Sequence, residues 1–390
     1  MRHVFLTGAT GYVGVFLLAE LLSDPAAAVT VHCLLRGSSV AAAAARLQQK
    51  LAQYGLGSPA WASRIRYVLG DLAAPYLGLD PAAFDELAAT IDVIYHSGAQ
   101  VDHVRGYAVM KPSNVLGTQE ILRLACRRRL KTVHHLSTLG VLYPPSYGGA
   151  AVAYETDVAG PLPLLPNGYM QSKCVAEHLV TTALARGIPA VIYRLGAITG
   201  HSQTGVCNLD DYFYGALRTA VRLQTSDPLN TDLTVTPVDF ATRAILTISR
   251  RADALGRTFH VTHPEPLWWL DLMQWLRNQG YAITTRPYEE CMTRLYAAAR
   301  SGIEVPMHAF LPLLVQKRAD SNRYVMEDYY VQVRYDCQNL LAALGDEVRL
   351  LPSPTHLLAV YLEYLRQHHL LAAPYPQAGP APVADLWSTI

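Results

Sequence analysis

The stretch His3-Val-Phe-Leu-Thr-Gly-Ala-Thr-Gly-Tyr-Val-Gly14 decides the fold of this chain. An apolar run leads into a turn with glycines at 8, 11 and 14, and an apolar helical pattern follows, which predicts strand, glycine turn and helix. In that setting a glycine motif carries meaning, because the backbone can turn sharply, approach a pyrophosphate and let the helix sit close to the strand. The free N–H groups and dipole of the helix N-terminus then favour an anion. Thr7, Gly8, Thr10, Gly11, Tyr12, Val13 and Gly14 are therefore expected to form a phosphate-binding turn, with the spacing GxxGxxG.

Outward from that turn, strand-like runs at His3 to Thr7, Val29 to Leu35, Ile65 to Leu69, Val93 to His96, Thr132 to Ser137 and Ala190 to Leu195 alternate with helical patterns. The helical segments are Gly14 to Leu22, Ala41 to Gln53, Pro81 to Ala89, Gly117 to Arg128 and Tyr169 to Ala185. Such alternation predicts an α/β fold, a Rossmann-type doubly wound parallel sheet. Residues 1–200 are expected to form this nucleotide domain, with about 235–262 returning to it, and 201–390 a smaller, mostly helical substrate domain. Helical patterns at Tyr212 to Leu223, Thr242 to Arg250, Trp268 to Asn278, Glu289 to Ala299 and Thr355 to Arg366 support the second part, and Phe259 to Thr262 reads as a strand. The aperiodic stretch from Tyr143 to Gly168 is expected to be a functional loop, and the Pro-rich tail from Ala372 to Ala384 to be ordered only by contacts.

The composition narrows the function classes. Of 390 residues 51% are apolar and 16% charged, enough for a large core. Thirty-two Lys plus Arg against 31 Asp plus Glu gives +1, which argues against nucleic acid as a partner. The six scattered cysteines form no metal-ligand or CxxC pattern, so no metal site is expected and reduced thiols in a cytoplasmic protein fit best. No secretory signal and no spanning apolar run is read, so no membrane partner is expected.

The second strand ends in Leu34-Leu35-Arg36, where NAD-selective folds place an acidic residue on the ribose. Arg36 points instead to a 2′-phosphate, hence NADPH, and Arg46 on the next helix can close on the same group. Asp71 and Leu72 after the third strand are candidates for the adenine edge and face. Ser97, Gly98 and Ala99 after the fourth supply small residues where the backbone passes the cofactor. Asn114, Tyr169, Lys173, Leu195 and Gly196 complete the expected cofactor-binding set.

Tyr169-Met-Gln-Ser-Lys173 places a phenol and an ammonium at i and i+4 of a helix, on one face. The fifth strand brings Thr138 to the carboxyl edge of the sheet, where ligands of open α/β folds bind. Hydride delivered to a carbonyl carbon leaves charge on oxygen, which a donor aimed at that oxygen must meet. Thr138 and Tyr169 can donate; Lys173 is expected to draw the phenol down from its ordinary pKa near ~10 and to hold the nicotinamide ribose. Asn114 is a fourth candidate, ordering a water or a backbone turn. These residues specify a carbonyl reductase or dehydrogenase and leave its substrate open.

The runs Gly70-Asp-Leu, Leu77-Gly-Leu-Asp80, Asp92-Val-Ile-Tyr-His-Ser-Gly-Ala-Gln-Val101 and Asn114-Val-Leu-Gly-Thr-Gln-Glu-Ile-Leu-Arg-Leu-Ala125 resemble the thioester reductase domains that end nonribosomal peptide and polyketide assembly lines. Carboxylic acid reductases share that domain, which belongs to the extended short-chain dehydrogenase/reductases. The long insert after Arg36, Ser137-Thr138, Tyr169 with Ser172-Lys173, and Tyr193-Arg194-Leu195-Gly196 also fit, and the likeness covers roughly Arg2 to Gly280. It implies NADPH-dependent reduction of an acyl or peptidyl thioester on a phosphopantetheinylated carrier protein, in cis or in trans, to an aldehyde and in some members to the alcohol. It also implies Thr138, Tyr169 and Lys173 as the catalytic set and Arg36 and Arg46 as the 2′-phosphate contacts. Cys174 and His96-Ser-Gly-Ala depart from the usual pattern in the pocket wall.

The loop from Tyr143 to Gly168 and the region of Trp268, Trp269 and Trp275 are expected to border the channel, with the tryptophans mainly in the core. Arg127 to Arg129 with Lys131 reads as a solvated helix end before a carrier-docking patch. The chain is expected to be monomeric. Rival readings are a nucleotide-sugar epimerase or dehydratase, a fatty acyl-CoA reductase, and a non-catalytic nucleotide sensor. Arg36 counts against the first, the lack of a membrane-associating segment against the second, and an intact Tyr169 and Lys173 against the third.

Overall fold

The computed structural model describes residues 2–23, 28–142, 152–317, 322–329, 333–371 and 374. Residues 143–151 of the long loop, and the expected tail from Ala372 apart from residue 374, lie outside the described residues.

Seven parallel strands form one sheet: β1 (Arg2–Thr7), β2 (Val29–Leu35), β3 (Ile65–Leu69), β4 (Val93–His96), β5 (Thr132–Thr138), β6 (Ala190–Leu195) and β7 (Thr258–Val261). Their spatial order is β7-β6-β5-β4-β1-β2-β3, so the order reverses between β1 and β4. That is the switch point at which doubly wound folds open a crevice for a dinucleotide. The helices α1 (Tyr12–Ser23), α2 (Val40–Gln53), α3 (Pro81–Thr90), α4 (Gly117–Cys126) and α5 (Gly168–Ala185) make the crossovers. The strands β4 and β6 are buried along their whole length, as expected for strands covered on both faces.

One apolar layer joins α1 and α2 to the sheet, and a second joins α3, α4 and α5 to its other face. The first layer also recruits later chain. The helix α7 (Val238–Ser249) and the helix α10 (Gln338–Leu344) contribute Ile245, Leu340 and Leu344 to it. Three stretches that follow residue 200 thus pack with the Rossmann layers: α7, β7 and α10. The helices α6 (Tyr212–Leu223), α8 (Trp269–Asn278), α9 (Tyr288–Arg300) and α11 (Pro354–Gln367) build two further apolar clusters beside the carboxyl edge of the sheet.

The helix expected through Arg128 stops at Cys126, and Arg128 turns into the left-handed region at φ 67°. Local charge explains the stop. Arg127 and Arg128 both pair with Asp85, and Arg129 pairs with Asp92. The buried Lys131 ammonium donates to the carbonyls of Leu124, Arg127 and Arg129, closing the helix end. Among the described residues no helix is long and apolar enough to cross a membrane, and no group of three or more His, Cys, Asp or Glu is placed to hold a metal.

Candidate active site

The glycine turn is shaped by close backbone approach. Gly8 has φ 75°, and a Cβ on it would lie 2.7 Å from the backbone of Gly98. A Cβ on Gly14 would lie 2.0 Å from the Gly8 carbonyl oxygen, so only glycine lets α1 start this close to β1. Gly11 N donates to Gly8 O at 2.8 Å and completes the turn. The first turn of α1 carries no acidic side chain.

A cavity of about 950 Å³ opens over this turn and along the carboxyl edge of the sheet. Gly8, Thr10, Gly11, Tyr12, Val13, Gly14, Asp71 and Leu72 line its nucleotide end. Ser97, Gly98, Ala99, Leu195 and Gly196 line its floor. Among the described residues Arg36 and Arg46 are the lysine or arginine side chains that line it, and an Arg46 guanidinium nitrogen donates to the Arg36 carbonyl oxygen. A turn free of acidic side chains at a helix N-terminus, with a two-guanidinium rim where the second strand ends, fits the phosphates of a dinucleotide.

Three residues of the expected cofactor set, Thr7, Asn114 and Lys173, stand behind the cavity wall. Thr7 is fully buried; its hydroxyl accepts from Gly98 N at 2.9 Å and lies 2.9 Å from His96 Nδ1. Its side chain therefore clamps the floor to β1 and does not line the cavity. Asn114, in a π-helical turn of residues Pro112–Leu116, accepts from Gln100 N and donates to Gln100 O and to Ser172 Oγ. Of the two roles considered for its amide, ordering a backbone turn is the one it fills.

Thr138 and Tyr169 meet at the cavity wall. Burial pushes the Tyr169 phenol up to about 12; the neighbouring Thr138 hydroxyl pulls it down, and the Asp211 carboxylate pushes it further up. Lys173 is placed differently from the expectation. Its ammonium is buried behind β5 and donates to Leu136 O at 2.6 Å, and it does not line the cavity. Burial lowers Lys173 to about 8, against the pull of Glu177. The i and i+4 spacing places both groups on one face of α5, but the carbonyl of Leu136 takes the ammonium before the phenol does.

Glu177, one turn beyond Lys173, accepts from Ser137 Oγ at 2.6 Å and from Arg194 Nη2 at 2.6 Å. Both members of this ion pair are 3% exposed, and Arg194 also donates to Asp157 O. The pair ties α5, the end of β5 and β6 together directly behind Thr138. Two other residues at the site were not singled out by sequence. The His103 ring stands edge-on to Tyr169 at 5.6 Å. Asp211, the N-cap of α6, lines the cavity, and burial pushes its carboxyl up to about 6. An aspartate just before a helical pattern is a capping signal, yet nothing local connects it to Tyr169.

The pattern defining the NAD-binding family described as Male sterility protein matches residues 6–245. The terminal R domain of the myxalamid PKS-NRPS biosynthetic pathway superposes with a TM-score of 0.86 at 36% identity, covering 96% of this chain and 93% of that one. The chain belongs to this family of reductase (R) domains. As an R domain it is an oxidoreductase that binds a nicotinamide dinucleotide. It is also 41% identical over 282 residues to a linear gramicidin synthase of Brevibacillus parabrevis, covering 72% of this chain and 6% of that protein. It is 37% identical over 333 residues to the aldehyde reductase lnbA of Aspergillus flavus, covering 82% of this chain and 32% of that protein. The R domain thus spans a third or less of these relatives.

Proposed function

We propose that this chain uses NADPH to reduce the thioester of an acyl or peptidyl chain on the phosphopantetheine arm of a carrier protein, in cis or in trans, and releases it as an aldehyde. The observation that carries this reading is that Thr138 and Tyr169 stand together on one wall of a cavity whose far end is the glycine turn with Arg36 and Arg46. The names of its relatives, a gramicidin synthase, a PKS-NRPS terminal domain and an aldehyde reductase, support it.

A bound nicotinamide dinucleotide would supply the hydride. Gly8 to Gly14 would hold its pyrophosphate, Arg36 and Arg46 the 2′-phosphate, and Asp71 with Leu72 the adenine. Thr138 and Tyr169 donate to the thioester carbonyl oxygen. With its pKa pushed up to about 12 the phenol stays protonated at neutral pH. It is ready to give its proton to that oxygen as charge builds. Lys173 acts through Leu136 O, fixing the strand end that carries Thr138. The resulting hemithioacetal collapses to aldehyde and thiol, and because a thiol leaves readily no cysteine nucleophile is needed.

The test is NADPH oxidation by the purified chain with a pantetheine thioester, with aldehyde and any alcohol identified by mass. Tyr169→Phe should slow turnover by about 10²–10⁴-fold, the ordinary worth of a positioned acid, with NADPH affinity preserved. Unchanged turnover in that variant would remove Tyr169 from the role, and no NADPH oxidation by the parent protein with any thioester would overturn the reading.

A further inference from the structure

Resting on that reading, we infer that the acyl group accepted is an extended apolar chain, and that the cavity lobe beyond Tyr169, walled by Leu223, Met292, Leu295, Met307 and Leu313, selects it. The lobe is continuous with the nucleotide cleft. An aromatic passage joins the two: the His103 ring lies 5.6 Å from Tyr169 and 6.0 Å from Phe310, which meets Tyr212 edge-on at 5.3 Å. A thioester carbon placed beside Tyr169 therefore has an apolar space directly ahead of it.

That space is not an ordinary packing defect. Protein interiors leave few voids larger than a water molecule, yet α9, the segment of residues 305–314 and Met326 form a buried apolar cluster whose side chains line an open lobe. The polar groups on its other side, along residues 225–234, are engaged with protein groups, mostly backbone. Ser226 Oγ donates to Asp227 O, and Asp227 Oδ1 accepts from Leu229 N. Asp232 Oδ1 accepts from Thr234 N and Leu267 N, while Thr225 Oγ1 lies 3.6 Å from Cys291 Sγ. A sugar or a charged chain entering here would lose its water and find few groups to replace it. A methylene chain loses nothing of the kind, and Met292 and Met307 supply flexible thioethers that adapt to its bends.

The experiment compares kcat/KM for acetyl, hexanoyl, decanoyl and ω-aminohexanoyl pantetheine thioesters on the full chain. Binding of the non-reducible decanoyl pantetheine amide is read by calorimetry. We expect kcat/KM to rise about fourfold per methylene until the lobe fills, the ordinary worth of a buried CH₂. The aminohexanoyl ester should fall at least roughly tenfold below the hexanoyl one. Met292→Trp should abolish the decanoyl advantage and the amide's binding while holding acetyl turnover within about twofold, with Leu295→Phe as the milder filling should tryptophan prevent folding. A flat chain-length profile, a preference for the amino ester, or equal slowing of acetyl and decanoyl esters by Met292→Trp would overturn the inference. If no thioester is reduced, the proposed function fails, while the amide's binding and its loss in Met292→Trp still decide whether the lobe takes an apolar chain.

Discussion

The two ends of the cavity are built in opposite ways. At the nucleotide end recognition belongs to the backbone: the turn from Gly8 to Gly14 is so tight that a single added methyl would collide with a carbonyl 2.0 Å away. Behind it, a buried ion pair and a chain of hydrogen bonds fix Ser137, Thr138 and the start of α5. At the acyl end recognition belongs to side chains brought from four separate stretches of sequence, with their polar atoms turned inward to their own backbone. The first end tolerates almost no change and suits an invariant ligand. The second can be reshaped by exchanging apolar side chains, which suits a ligand that differs from one enzyme to the next.

The contrast predicts unequal costs. Glu177→Ala strands the Arg194 guanidinium without its partner at 3% exposure. Removing one member of a buried pair costs about 3–5 kcal/mol. The urea midpoint should fall accordingly; a midpoint unchanged from the parent would mean that the pair is not what holds the end of β5. Gly14→Ala comes next. The Gly8 carbonyl cannot yield without moving β1, so a cost of about 3 kcal/mol is expected, together with weaker dinucleotide binding. Met292→Ala only enlarges a space that is already open and should cost nearer ~1 kcal/mol. If Met292→Ala proved as damaging as Gly14→Ala, the contrast between a rigid and a plastic end would be lost.

The same contrast governs what could be read from sequence. Strands and crossovers of the nucleotide half announce themselves through local signals: apolar runs, glycine spacing and helical period. Thr138 and Tyr169 followed from them because the carboxyl edge of a parallel sheet is a place that topology alone fixes. The fate of Lys173 did not follow, since spacing assigns a helix face but not which neighbour receives the ammonium. Thr7 and Asn114 sit at positions where the motif is right and the side chain faces away. His103 and Asp211 reach Tyr169 only through the tertiary fold, and the recruitment of Leu340 and Leu344 to the first apolar layer had no local sign at all.

Arg36→Ala tests the nucleotide end where its side chains do matter. Hydrogen bonds to a charged group contribute about 1.5–3 kcal/mol, so NADPH affinity should drop by roughly tenfold or more while NADH affinity barely moves. Equal losses for both cofactors would show that Arg36 supports the turn and does not read the phosphate. Arg46→Ala should give a smaller version of the same bias, because its guanidinium is shared with the Arg36 carbonyl.

The mildest change falls where the two ends meet. Burial pushes Asp211 up from its ordinary 3.8 to about 6. The folded protein therefore keeps a proton there over a range in which the unfolded chain has lost it. Between about pH 4 and pH 6 this group makes the fold less stable as pH rises, and at neutral pH its whole cost is present. Asn in its place keeps an oxygen for Phe213 N, which Asp211 Oδ1 now accepts at 2.9 Å, so the cap of α6 survives. Asp211→Asn should thus be more stable than the parent by about 1–2 kcal/mol at about pH 7.5 and nearly equal to it at about pH 4. It should also shift the alkaline limb of the pH–rate profile downward, because a negative charge that raises the Tyr169 phenol is gone. A stability gain without that shift would leave Asp211 a helix cap alone; both together would make it the residue through which the acyl end sets the acidity of the tyrosine.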